Sequence, residues 1–317
     1  MSNLLYQELS HLHKYLNVAL PNDTLLPSTI DGKIQRSENI VNHPDEFLLS
    51  LDRYSLYRAI LPVYKRTSRY LSFSMEAGGN LYSANVVLGS EFYFSLHDLL
   101  EEFNDALSNI MGSLNAGEST AYNAPVFSFA DNLWSLTTDS MFRSNVTLYF
   151  GSETYCLFNT FEFKGFNFGN SLTFAQLVFS EGSEGSEGKD IEVQRQNTLE
   201  VFLPIAKLLL KSDMPVLEEA VPDYNSSSNQ SKSTDTILTD YVITPSDSSN
   251  LFNIEFTAQG NHRYMSLMNQ DNFTSFSISA FWQDREGNQY PLLVAGGGYL
   301  DMKFQFVNDT SSYVGTE

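Results

Sequence analysis

Residues 273–306 read FTSFSISAFWQDREGNQYPLLVAGGGYLDMKFQF. Phe276, Ile278, Ala280 and Trp282 alternate with Ser275, Ser277, Ser279 and Phe281, the period-two rhythm of a strand that buries one face. Asp284-Arg285-Glu286-Gly287-Asn288 is a polar run whose glycine suits the positive φ of a hairpin connection. Tyr290, Leu292 and Val294 resume the alternation, and Gly296-Gly297-Gly298 reads as a second reversal. Leu300, Met302, Phe304 and Phe306 then alternate with Asp301, Lys303 and Gln305. The pattern predicts a three-stranded antiparallel meander with one buried face. At roughly 1.5–3 kcal/mol per fully buried large side chain, its last strand contributes about 6–12 kcal/mol gross.

Similar patterns run upstream. Phe47, Leu49 and Leu51 alternate, as do Leu71, Phe73 and Met75; Val126 to Phe129, Val146 to Phe150 and Ile237 to Ile243 are further strand candidates. Ala59 to Tyr64 is a short apolar strand that Pro62 places at an edge or bulge. Short strands at this spacing mark a sandwich or barrel. One stretch departs from it. Leu96, Leu99, Leu100, Phe103, Leu107, Ile110 and Met111 recur at helical spacing, with Ser95 and Asp98 as a capping box and Gly112 as a stop. The reading is all-β with one prominent helix over 96–111.

At the N-terminus, Leu5, Leu9, Leu12 and Leu16 are spaced for a second, amphipathic helix over Asn3 to Leu20, ended by Pro21. Such a helix docks either on its own domain or on a neighbouring subunit, and its leucines are the candidate subunit contacts. Pro21 to Arg36 reads as an extended connector with a turn at Asp31-Gly32. The tripeptide repeat Ser180 to Gly188 buries nothing and is the candidate boundary between domains. The expected division is an arm over 1–36, a first β-rich domain over 37–188 and a second over 189–317.

The chain has 317 residues, 42% hydrophobic and 14% aromatic, enough for one large sandwich or two ordinary domains. Lys and Arg number 18 against 38 acids, a formal charge of −20. That balance argues against binding a nucleic-acid backbone or an anionic membrane surface. No run approaches the ~20 apolar residues that span a bilayer. Cys156 is the sole cysteine, so there is no internal disulfide, and its neighbours Tyr155, Leu157 and Phe158 predict a buried thiol. The start MSNLLYQEL has no basic segment followed by an apolar one, so secretion is not expected and synthesis in a reducing compartment is. The six Asn-x-Ser/Thr sequons, Asn145 and Asn272 among them, then count as chance.

Chemical motifs are scarce. His11, His13, His43, His97 and His262 show no metal-ligand spacing, and the sequence has no nucleophile elbow, P-loop or dinucleotide fingerprint. Asp98, Glu101, Glu102 and Asp105 line one helix face, which solvation and the helix dipole explain without catalysis. No catalytic, cofactor-binding or metal-binding residue is assigned, and no enzyme is expected; a glycosidase with scattered carboxylates is the weakest alternative. Phe161, Phe163, Phe166, Phe168 and Trp282 are read first as core and second as a stacking platform for sugar rings. That second reading makes the protein a carbohydrate- or receptor-binding β-sandwich.

Several phrases in order carry a resemblance. They are Glu46 to Tyr54, Ile60-Leu61-Pro62-Val63, Phe103-Asn104-Asp105-Ala106-Leu107, Val146 to Phe158, Ile237 to Tyr241, and Phe281 to Gly287 through Lys303 to Phe306. The series resembles a virion structural protein of small eukaryotic DNA viruses and Polinton-like elements. The resemblance implies a capsid or vertex component on a jelly-roll β-sandwich, single and elaborated or double. It also implies a virion location, a homo-oligomer (trimer or pentamer) and other capsid proteins as partners, with no active site to transfer. The Ser180 to Gly188 repeat and the N-terminal leucines lie outside it.

Overall fold

The computed structural model describes residues 13–66, 70–131, 133–167, 174–179, 189–196, 198, 203–216, 236–242, 253–257, 264–268 and 273–308. The chain divides into two compact units, one formed by the residues up to Leu61 and from Ile205 onward, the other by Pro62–Pro204. The second unit is therefore inserted within the first. The division expected at Gly188 does not coincide with it: the Ser-Glu-Gly repeat lies within the sequence of the inserted unit and outside the described residues. The units part instead beside two prolines, Pro62 and Pro204, where strands must end because proline has no N–H to donate.

Strands are numbered along the chain. The first unit holds β1 (His13–Pro21), β2 (Ser28–Thr29), β3 (Asp31–Gln35), β4 (Phe47–Ile60), β15 (Ile205–Ser212), β16 (Thr236–Val242), β17 (Asn253–Thr257), β18 (Met265–Ser266), β19 (Ser275–Asp284), β20 (Gln289–Pro291) and β21 (Leu293–Asn308). One sheet runs β1-β21-β4-β17, with β2 added on β21 and β18 on β4; the other runs β16-β15-β19-β20, with β3 also paired to β19. Every pairing is antiparallel. The inner faces meet as a β-sandwich: Phe276 lies 6.0 Å from Phe304 between ring centroids, and Tyr54 lies 6.3 Å from Tyr241. The alternating residues of 273–306 fill this core as expected, with Phe276, Ile278, Ala280, Trp282, Leu300, Met302, Phe304 and Phe306 all buried.

Four local expectations are corrected. The first is the meander. β19 and β20 form the expected hairpin, but after Pro291 the chain crosses to the opposite sheet, where β21 pairs with β1 and β4. Alternation records which face is buried; it does not say which of two facing sheets a strand joins. The second is the glycine triplet, which lies within β21 rather than at a reversal. The third is the N-terminal helix. From His13 the chain is strand, paired to β21 over nine residues, with Leu16 and Val18 inward and Tyr15, Asn17 and Ala19 outward. A ready-made sheet edge outweighs local helical spacing here. Nor is there a turn at Asp31-Gly32: both lie in β3, and the Leu20 side chain fills the space a Gly32 Cβ would take.

The inserted unit holds β5 (Tyr64–Lys65), β6 (Tyr70–Ala77), β7 (Asn80–Val87), β8 (Phe92–Tyr93), β9 (Val126–Ala130), β10 (Leu133–Asp139), β11 (Val146–Gly151), β12 (Phe163–Asn167), β13 (Phe174–Leu177) and β14 (Lys189–Val193). They form the sheets β12-β13-β11-β6-β7 and β14-β10-β9 and the ribbon β5-β8. Helix α1 (Leu96–Gly117) begins where expected, with the Ser95 hydroxyl accepting from the His97 N–H at 3.1 Å. It runs on through Gly112, because Leu114 is buried one turn after Ile110. Two short helices, α2 (Ser140–Asn145) and α3 (Ser152–Phe158), flank β11.

This unit's core is aromatic. Phe127 stacks on Phe158 at 4.7 Å, Phe73 meets Phe150 edge-on at 5.2 Å, and Phe103 lies 5.9 Å from Trp134. Asn104 ties the helix to it. Its amide donates to the Phe127 carbonyl at 3.0 Å while its oxygen accepts from the Phe127 N–H at 2.7 Å, so a side chain serves β9 as a strand partner would. Cys156 is exposed, not buried. It sits on α3, whose other face carries the buried Thr154, Leu157 and Phe158, so the helix turns the thiol away from the side its neighbours pack into.

Candidate functional site

The surface feature built with most internal support lies on the first sheet of the sandwich. Along β21 and β4, Val294 pairs with Ala59 and Tyr299 with Tyr57, so Ala295 to Gly298 bulges opposite Arg58 alone. Arg58 takes φ 58° and Gly297 φ 72°. A Cβ on Gly296 would stand 2.7 Å from the Thr24 carbonyl oxygen, and one on Gly298 equally close to that of Tyr57. The triplet thus lets the loop between β1 and β2 lie directly on the bulge.

Asn22 locks that loop. It is 4% exposed, donates its amide to the Leu26 and Val294 carbonyls at 2.9 Å each, and accepts from the Thr24 N–H at 3.0 Å and the Thr24 hydroxyl at 2.7 Å. Its backbone is fixed too: its N–H donates to the Gly298 carbonyl at 2.8 Å, and its carbonyl accepts from Gly297 at 3.0 Å. What this framework holds out to solvent is apolar. Leu25 is 98% exposed and Leu26 74%.

The outer face of the same sheet continues from that corner. Tyr57 and Tyr299 stack at 5.3 Å, both part-exposed. Arg53 Nη2 lies 3.3 Å from Asp301 Oδ2, and Lys303 Nζ lies 2.9 Å from Asp52 Oδ2 and 4.4 Å above the Tyr15 ring. Two ion pairs thus lie on this face, and Glu255 of β17 is exposed opposite Ser55.

The residues singled out in the sequence fall elsewhere. Leu5, Leu9 and Leu12 lie outside the described residues, and Leu16 is buried in the sandwich, so it is no subunit contact. The aromatic platform dissolves into two cores. Trp282 is 2% exposed and stacks on Tyr290 at 4.3 Å in the first unit; Phe161 is 5% exposed and packs on Phe158 in the second. Phe163 packs edge-on against Phe150 and Tyr155. Phe168 and the side chain of Phe166 lie outside the described residues. The buried rings of Trp282 and Phe161 present no face to a sugar, while Phe163 is half-buried.

Asp98, Glu101 and Asp105 are exposed along α1, with His97 Nε2 3.1 Å from Glu101 Oε1. Among the described residues no group of three His, Cys, Asp or Glu could hold a metal ion, and no helix is long and apolar enough to cross a membrane. Two phenols are perturbed. Burial pushes Tyr149 up to about 12, helped by its hydrogen bond to Glu76 at 2.7 Å; burial, and then the Glu102 charge, raise Tyr93.

The sequence profile of the Sputnik minor capsid protein V18/19 family matches residues 106–308, more than half of the chain. Two solved structures share the fold. The mavirus penton protein superposes with a TM-score of 0.69 at 21% identity, covering 93% of this chain and 99% of its own. A chain of the Sputnik virophage superposes with a TM-score of 0.71 at 18% identity, covering 95% and 99%. Among curated proteins no sequence match is found.

Proposed function

The chain belongs to the Sputnik minor capsid protein V18/19 family, and from that premise we propose that it forms the five-fold vertex of an icosahedral virion as a ring of identical copies. It is a viral structural protein of the capsid. The vertex position and the ring are the inference. Its role is to hold neighbours in place, with no reaction assigned to it.

One observation carries the reading. Taken in chain order, β1, β3, β4, β15, β16, β17, β19 and β21 are eight strands, and the two sheets then read 1-8-3-6 and 5-4-7-2. That order is two Greek keys folded into a single jelly roll, the architecture of many capsid shells. The Pro62–Pro204 unit enters between the third and fourth strands, so the proposal is one elaborated jelly roll and not two. The likeness to a penton protein along nearly the whole chain supports the vertex position. A five-fold ring also follows from closure: a head-to-tail contact between copies must return to its start, and the vertex of an icosahedron closes after five.

Electron microscopy of the purified full chain tests this. Class averages with five-fold symmetry are expected. A particle population of single copies at concentrations up to tens of micromolar, or of closed trimers, overturns the ring.

A further inference from the structure

We propose that the outer face of the β1-β21-β4-β17 sheet, with the Leu25–Leu26 corner at its end, is the surface on which the next copy of this chain docks. The inference rests on the ring reading above and names the contact that would build it.

Three observations converge on this face. The first is the corner itself. Leu25 is 98% exposed and Leu26 74%, yet their loop is fixed by a buried asparagine and a glycine bulge. Folding alone gains nothing from holding two leucines in water. A rigid apolar projection suits insertion into another surface, because little conformational freedom is lost on docking.

The second is composition. Tyr15, Tyr57, Tyr299 and Arg53 share the face, and tyrosine and arginine are the residue types that carry energy in the centres of interfaces. In the sandwich's other sheet both sides of β15 are covered, with five consecutive residues from Leu208 to Ser212 buried.

The third is charge, and it identifies the occupant. Copies of a chain carrying −20 repel one another. On this face Arg53 pairs with Asp301 and Lys303 with Asp52, and the exposed Glu255 of β17 and Arg58 of the bulge are of opposite sign, so a second copy meets no excess of its own sign. A strongly cationic partner would instead be drawn to exposed acids such as Asp98 and Asp105 of α1.

The test uses the full chain in sedimentation velocity over a concentration series, comparing wild type with the double substitution Leu25→Asp/Leu26→Asp. Both side chains are exposed, so thermal unfolding and far-UV circular dichroism should be unchanged. The ring should dissociate at about 100-fold higher protein concentration or more, as expected for losing two anchoring side chains. Tyr57→Asp should weaken it in the same direction. Leu81→Asp, at a 54% exposed leucine of the inserted unit, should leave it intact.

A wild-type ring that persists unchanged in the double and Tyr57 variants overturns the docking face while sparing the ring. Retention of the ring with loss of uptake into particles also overturns it, and assigns the corner to a different capsid chain. A wild type that stays monomeric at every concentration overturns both proposals.

Discussion

The side-chain amide of Asn22 donates to the carbonyl of Val294 at 2.9 Å, joining positions 272 residues apart. The same amide reaches Leu26, and the Asn22 oxygen receives Thr24, so all the hydrogen-bonding capacity of one buried side chain is spent on a single corner. That corner is where the first sheet bulges and where Leu25 and Leu26 project.

Asn22→Ala should therefore be severe for a loop residue. It removes the donor to the Val294 carbonyl and one of the two donors to the Leu26 carbonyl, which keeps the Thr24 hydroxyl, and it removes the acceptor of the Thr24 turn, a loss of about 2–3 kcal/mol in urea denaturation. Asn22→Asp keeps the acceptor, loses the donor and adds a charge beside two carbonyls, so it should cost at least as much. A change within about 0.5 kcal/mol, the size of an ordinary surface effect, would show that the network does not matter.

Two glycines should respond in opposite directions. Gly112 lies inside α1 with nothing within 4 Å of the place an added methyl would occupy, so Gly112→Ala should stabilise by about 0.5–1 kcal/mol. Gly296 meets the backbone of Thr24 and Leu25 at 2.7 and 2.8 Å, so Gly296→Ala should destabilise by about 1–3 kcal/mol. Thermal unfolding of the two variants, with equal signs, would contradict these placements.

Much of this architecture is legible in the sequence. The alternation through 273–306 marks which side chains are buried, and Ser95 marks the start of the helix. What the pattern does not carry is partnership. The leucines at Leu12 and Leu16 are four apart, a spacing that fits a helix face or, being even, one side of a strand; a vacant edge on β21 decides it from His13 onward. The glycine triplet looks like a reversal because the loop it accommodates begins with Asn22, more than 270 residues away. Pro62 and Pro204 flank the inserted unit, yet the Ser-Glu-Gly repeat is the more conspicuous break in composition. Asn104 falls within one of the phrases that carry the family resemblance, but its service to the Phe127 backbone depends on a fold no local pattern describes.

Cys156 gives a direct check on α3. An exposed thiol should react completely and rapidly with an aromatic disulfide reagent in the native protein. Protection until the chain is unfolded by denaturant would restore the buried thiol that its aromatic neighbours suggest.

Tyr149 supplies a pH test. Its folded-state value of about 12 lies above the ordinary 10.0, so the native state holds the phenolic proton more tightly than the unfolded chain does. The corresponding stability is fully present below pH 10, and it is lost as pH rises from there through about 12. The difference in phenolate absorbance between wild type and Tyr149→Phe should titrate near the upper value while the protein stays folded, and a midpoint near 10 would show that the phenol is neither buried nor held by Glu76 as described.

Icosahedral reconstruction of the assembled virion bears most directly on the role proposed for this chain. The expected map shows its eight-stranded sandwich and inserted unit at the five-fold vertices, five copies around each axis, with the Leu25–Leu26 corner at the seam between neighbours. Vertices occupied by another chain, or this fold found only on the facets, would contradict it.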